Sequence, residues 1–259
     1  MKILRQIAIA FTLYSRIPMP HFAWKDEDMA ESLTFFPLVG LGIGALITLL
    51  GRASSILHIP AAVSILLSLA LPILITGGIH IDGFLDVEDA LHCYGSAEEK
   101  HRILKDPHIG AFAVIGLLKW GLIDAAAVTA IWLHPGADTK TLMLYGLCFV
   151  VSRCLSGLTA LGFQKAKKEG MLYEETKGKK RLPMVLLSLQ MLAAIGLMAA
   201  LDLLLTGLLI ACFGAATLLY RRLAYREFGG VSGDTAGFFL TTAEILAAVC
   251  MAICMYLRG

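Results

Sequence analysis

Asp82, Asp86 and Asp89 are spaced i, i+4 and i+7 within the stretch Gly77–Ala90. On an α-helix those positions share one face. Carboxylates at i,i+4 repel, costing an isolated helix a few tenths of a kcal/mol, roughly. The stripe becomes useful if a cation sits among the acids. Oxygen donors at this density suit a hard ion, and Mg²⁺ combines one or two carboxylates with waters and substrate phosphates. The plain alternative is a solvated helix face. The interleaved Phe84, Leu85, Val87, Ala90 and Leu91 weigh against it, because a freely solvated helix needs no apolar partner. Glu88 points off the stripe. His80, which abuts the acids, is a candidate for a proton or phosphate contact.

Other groups fit phosphate chemistry. Arg102 and the run Lys105-Asp106-Pro107-His108 precede a long apolar segment. Lysine offers a point charge and arginine a planar fork, although Arg102 alone reads better as a membrane anchor at a span end. Gly229–Gly237 precedes the last apolar segment. Its Gly233, Asp234 and Gly237 form either a phosphate seat at a helix N-terminus or a loop with Asp234 as helix cap. Lys119, Arg153 and Glu244 lie inside apolar segments, where charge is costly and points to function or to ion pairing. The pair is Arg153–Glu244 or Lys119–Glu244. Ser152 adds a hydroxyl beside Arg153 and draws that position toward function. Asp124 is five residues from Lys119 and does not share its face. His80, His92, His101 and His108 have no i,i+4 spacing and no cysteine partner, so zinc is disfavoured.

The elements that must hold these groups are membrane helices. The chain has 259 residues, 58% hydrophobic and 16% charged, with mean hydropathy +0.75. Soluble domains carry about 25% charged residues. A net charge of +2 is too balanced for a nucleic-acid binder. The six cysteines show no metal spacing and lie mostly in apolar stretches, so no disulfide framework is expected. A span needs about 20 apolar residues, and seven segments fit: 33–50, 60–79, 109–133, 141–162, 183–201, 203–220 and 236–257. Asp202 reads as the turn of a tight hairpin. Segments on one side of the seven crossings hold 17 Lys and Arg, and those on the other hold 3. That bias puts the N-terminus and the acid stripe on the cytoplasmic side. The first thirteen residues are too short to span and lack a small-residue cleavage site. They read as an interfacial helix rather than a signal peptide. Gln164–Arg181, with seven basic residues, reads as a mobile surface loop. The expectation is one all-α domain over 1–259, a polytopic bundle of about seven spans.

The motifs taken in order resemble the cobalamin synthase (adenosylcobinamide-GDP ribazoletransferase) family. The matching runs are Ser15-Arg16-Ile17-Pro18-Met19-Pro20, Phe36-Pro37-Leu38-Val39-Gly40 and Gly77–Gly83, followed by Asp86 and Asp89. Lys105-Asp106 with Ile109-Gly110, Ser152-Arg153, Glu169-Gly170, and Gly233-Asp234-Thr235 with Gly237 complete them. The chain departs from the family pattern at Leu85, Ala90, Arg102 and Pro107-His108, and keeps every acid. The resemblance implies a multi-pass enzyme of the cytoplasmic (inner) membrane. It would join adenosylcobinamide-GDP to α-ribazole, or to α-ribazole 5′-phosphate, and release GMP in a Mg²⁺-dependent phosphoryl transfer. Asp82, Asp86 and Asp89 would hold Mg²⁺. One of these acids, or His80, would help deprotonate the ribazole hydroxyl. Lys105, Asp106, Ser152, Arg153 and the Gly233–Asp234 turn with Gly237 would line the phosphate site. A homo-oligomer is compatible with this reading. The alternatives are a small-ion transporter, to which the intramembrane charges lend colour, a membrane phosphotransferase of the CDP-alcohol type, and a silent scaffold. The second lacks its usual Asp-Gly-x-x-Ala-Arg continuation here, and the acid stripe argues against the third.

Overall fold

The computed structural model describes residues 2–20, 31–178 and 180–258. Lys25 and Lys179, counted in the charge bias, lie outside the described residues. Apolar sequence in lipid must bond its own backbone, which only helices and closed barrels achieve. The described chain is accordingly helical. Helix α1 (Lys2–Tyr14) is followed by a 3₁₀ turn (Leu33–Phe35), α2 (Phe36–Leu57) and α3 (Ala61–Thr76). Next come α4 (Ile79–Leu91), α5 (Ala97–Ile103), α6 (Ala111–Leu133), α7 (Thr139–Gly162) and the short α8 (Met171–Thr176). Helices α9 (Arg181–Leu201), α10 (Leu203–Phe228) and α11 (Gly233–Arg258) complete the chain. Six helical stretches are long and apolar enough to cross a membrane, and a seventh crossing arises if the bent pair α3–α4 counts as one span. The protein is therefore a multi-pass membrane protein. Helix α1, at 13 residues, is too short to cross.

The hairpin at Asp202 forms as its sequence suggests. Its Oδ1 accepts from Leu205 N at 2.9 Å and caps α10, while Arg258 Nη1 donates to Oδ2 at 2.6 Å. Helix α7 sits at the centre, packed against α2, α9 and α11, and is the most buried span. Its Ser152, Arg153, Ser156 and Thr159 explain that position, because such residues in a span face protein rather than lipid.

The feature that builds the site is a sharp corner. Segment 60–79 does not continue straight, because Gly77 (φ 67°) and Gly78 (φ 82°) are both left-handed and α4 leaves α3 at 95°. Glycine takes this conformation at little steric cost. Helix α4 then packs across the N-terminal ends of α11 and α6. At the crossing, a Cβ on Gly83 would lie 2.8 Å from Asp234 Cα, and one on Gly237 would lie 2.8 Å from the His80 carbonyl oxygen. We expect Gly83→Ala to cost about 1–3 kcal/mol of stability, because backbone rather than a yielding side chain opposes the methyl. Gly42→Ala, with nothing within 4 Å of the added Cβ, serves as control. Denaturant unfolding in detergent that is equal for both variants would contradict the crossing.

Candidate active site

A cavity of about 530 Å³ opens where the N-terminal ends of α4 and α11 and the C-terminal end of α5 meet the α7–α9 connection. Asp82 projects from α4 at its mouth, and His80, Lys105, Gly233, Asp234 and Gly237 also line it. These six were expected from sequence. The remaining expected residues lie elsewhere. Asp86 and Asp89 continue the acid face of α4 toward α6. The Asp89 carboxylate rests against Gly110, which precedes α6, and a helix N-terminus favours an anion there. Asp106 is exposed. Its Oδ1 accepts from His108 N at 2.9 Å and from His108 Nδ1 at 2.7 Å, ordering the turn that presents Lys105.

Ser152 and Arg153 do not line this cavity. Arg153, 1% exposed, donates to Glu244 Oε1 at 2.5 Å and to the Phe149 carbonyl at 3.0 Å, with its guanidinium over the rings of Phe36 and Phe149. Ser152 Oγ donates to the same Glu244 oxygen at 2.7 Å. Of the two pairings left open, Arg153–Glu244 forms. Lys119 instead takes Glu88, at 3.3 Å, and Trp120 Nε1 donates to the other Glu88 oxygen at 2.9 Å. Glu88 does point away from the acid stripe, into the bundle. Asp234 does not cap α11. Ser232 Oγ accepts from Thr235 N at 3.2 Å, and Thr235 Oγ1 accepts from Ser232 N at 2.8 Å. Asp234 is left facing the acids of α4.

Four carboxylates thus share one field. Burial, followed by the charges of Asp82, Asp234 and Asp89, pushes Asp86 up to about 6 from an ordinary 3.8. Burial and Arg153 hold the His80 imidazole down at about 3, so it is neutral near pH 7 and a weak base. A raised carboxylate binds protons more tightly folded than unfolded, so the ligand-free chain loses stability as pH rises from about 4 to 6. Asp86→Asn should therefore raise the thermal midpoint above pH 6, with the gain fading toward pH 4. A gain that is the same at both ends of that window would rule out the mutual repulsion.

Among the described residues, no three His, Cys, Asp or Glu side chains converge closely enough to hold a metal ion by themselves. The donor set nonetheless fits Mg²⁺, which seldom uses an all-protein cage and completes its shell with water and substrate phosphates. The crowding around Asp86 is the repulsion that such an ion would relieve.

The connection read from sequence as a mobile surface loop forms one wall of the cavity. Lys165 bridges to Val231, with Val231 N donating to Gln164 O at 2.8 Å and Ala166 N to Val231 O at 3.0 Å. Gly230 permits this contact, since a Cβ there would meet the Gln164–Ala166 backbone at 2.6 Å. Lys105 Nζ reaches Glu169 Oε1 at 3.1 Å across 64 residues. Lys165, Lys167, Glu175, His101 and Tyr14 also line the cavity, and sequence reasoning assigned none of them. The Met171-Leu172-Tyr173 run was the available signal, because a solvated basic loop has no need of it.

The model of the cobalamin-5-phosphate synthase family matches residues 6–252. The chain belongs to this family. It is similar to an adenosylcobinamide-GDP ribazoletransferase of Lachnoclostridium phytofermentans, 35% identical over 98% of this chain and 95% of the relative. Proteins of the same description from Clostridium botulinum (strain Alaska E43 / Type E3) and Alkaliphilus oremlandii are 30% and 31% identical. Those alignments cover 93% and 94% of this chain, and 94% and 95% of the relatives. No solved structure matches. The chain is thus an enzyme of cobalamin biosynthesis, a transferase.

Proposed function

We propose that the chain joins adenosylcobinamide-GDP to α-ribazole, or to its 5′-phosphate, releasing GMP, at a site on the cytoplasmic side of the inner membrane. The observation that supports this most is one juxtaposition. The acid face of α4 meets Asp234 at the mouth of a cavity that Lys105, Lys165 and Lys167 also line. Anions from the protein and cations for the substrate stand side by side, as a diphosphate with a divalent ion requires.

In this reading Asp82, Asp86 and Asp89, with Asp234 facing them, hold Mg²⁺, which when bound supplies charge neutralisation on the diphosphate. Lys105, Lys165 and Lys167 orient phosphate oxygens. Burial and the nearby Lys180 bring Lys165 down to about 8, so it remains mostly charged near pH 7. A ribazole hydroxyl oxygen attacks the phosphorus borne by the corrinoid side chain. The new P–O bond forms, the bond to the GMP phosphate breaks, and the hydroxyl proton passes to a carboxylate of the acid group. His80, with its low basicity, suits a hydrogen bond better than proton abstraction. The transporter alternative rested on the intramembrane charges, and the pairing of Lys119 with Glu88 and of Arg153 with Glu244 takes that support away.

The test is product analysis with the purified chain, adenosylcobinamide-GDP and α-ribazole, with and without Mg²⁺. GMP and a joined corrinoid should appear only when the metal is present. Transport without covalent product, or turnover in EDTA, would overturn the proposal.

A further inference from the structure

The cavity has two chemically different ends. The outer end carries Asp82, Asp234 and the lysines. Tyr14, Leu33, Phe36 and Glu175, with Leu172, form the buried end of the lining. Tyr14 and Phe36 pack with ring centroids 4.4 Å apart, and Phe36 and His80 with centroids 5.4 Å apart. Glu175 is 1% exposed and Tyr14 5%. Both polar groups face a cavity, and the Tyr14 hydroxyl, beside Ser32 and Glu175, is the one donor near the Glu175 carboxyl, whose Oε1 is left without a partner among the described residues. Buried polar atoms are nearly always bonded, and a carboxyl with two oxygens and one neighbouring hydroxyl has acceptor capacity left for a ligand. Burial pushes the Glu175 carboxyl up to about 7, and the Tyr14 hydroxyl offsets this only in part.

A ligand that satisfies this corner is flat, offers donors to the carboxylate and offers an acceptor to the hydroxyl. Among the common nucleobases, the guanine edge has that pattern, with N1–H and the 2-amino group beside O6. Adenine reverses the chemistry at the equivalent atoms. The relatives' printed name contains a guanosine diphosphate, and diphosphate chemistry fits the outer end of the same cavity.

We propose that Glu175 and Tyr14 form the guanine-recognition end of the cavity. The carboxylate accepts from N1–H and the 2-amino group, and the hydroxyl donates to O6. The assignment rests on the reading of the cavity as the nucleotide-bearing substrate's site. It makes Glu175 a specificity residue that touches substrate far from the transferred phosphorus.

The test is equilibrium binding of GDP, IDP and ADP, with Mg²⁺, to the full chain in detergent. Wild type should prefer GDP over ADP by at least about 10-fold, with IDP between them, as expected of hydrogen bonds to a charged group. Glu175→Gln should collapse the GDP/ADP ratio to within about threefold and leave ADP affinity unchanged. Tyr14→Phe should lower GDP affinity several-fold and leave the diphosphate of 2-aminopurine riboside, which lacks O6, unaffected. A purely structural Tyr14–Glu175 contact would instead lower the melting temperature and leave base preference intact, and that result would overturn the proposal. So would a wild type indifferent to the base. If Glu175→Gln does not fold, Tyr14→Phe decides alone by the same comparison. Because binding is read without turnover, selective GDP binding by a chain that releases no GMP would sink the proposed reaction and leave this assignment standing. Normal GMP release with unselective binding would do the reverse.

Discussion

Replacing Asp82 with Asn is expected to lower GMP release by about 10²–10³-fold, the usual loss when one pre-organised charge contact to a transferring group is removed. Asp82 is the acid of the α4 face that lines the cavity, and its side chain is exposed. The substitution therefore changes no packing, so membrane insertion should stay at the wild-type level, and the thermal midpoint should not fall, since one repelling charge is removed from Asp86 and Asp234. Asn keeps the shape and one oxygen donor but removes the charge. The defect should deepen at low Mg²⁺ and shrink in part at high Mg²⁺, as a weakened metal contact requires. Undiminished turnover would remove the metal role from α4. A loss unaffected by Mg²⁺ would reassign Asp82 to the proton.

The second large effect is structural. Arg153→Ala should destabilise the bundle by about 3–5 kcal/mol, because it strands Glu244 between α7 and α11 with only Ser152 as donor. The double variant Arg153→Met, Glu244→Leu removes both charges and keeps similar volume. Buried pairs replaced in this way are often neutral or better, so unfolding should return toward wild type. Recovery of GMP release along with stability would show that Arg153 supports the site through the helix pair. Recovery of folding without activity would restore a direct phosphate contact. A single Arg153→Ala variant as stable as wild type would contradict the ion pair itself.

Much of this protein was legible in one dimension. The spans follow from apolar length, because lipid forces backbone to bond within the segment. The Asp202 hairpin follows from a single charge between two apolar runs. The acid face of α4 follows from the 3.6-residue repeat, and the His80–Asp89 signature carried the family. What the chain order could not decide was which distant residues share a volume. Gly77-Gly78 reads as the end of a span in either case. Only in three dimensions does the corner lay α4 across α11 and bring Asp234 opposite Asp86, 148 positions away in the chain. Arg153 looked functional because charge in lipid is costly, and the same cost is met by a partner 91 residues on. Gln164–Arg181 looked like solvated loop because its lysines dominate the composition, whereas its fold is set by the Gly230 backbone contact and by Leu172 and Glu175 turning inward. Local periodicity and hydropathy are properties of neighbours in sequence. Pairing of charges and closure of a cavity are properties of neighbours in space, and here the helix crossings at Gly83, Gly237 and Gly230 decide them.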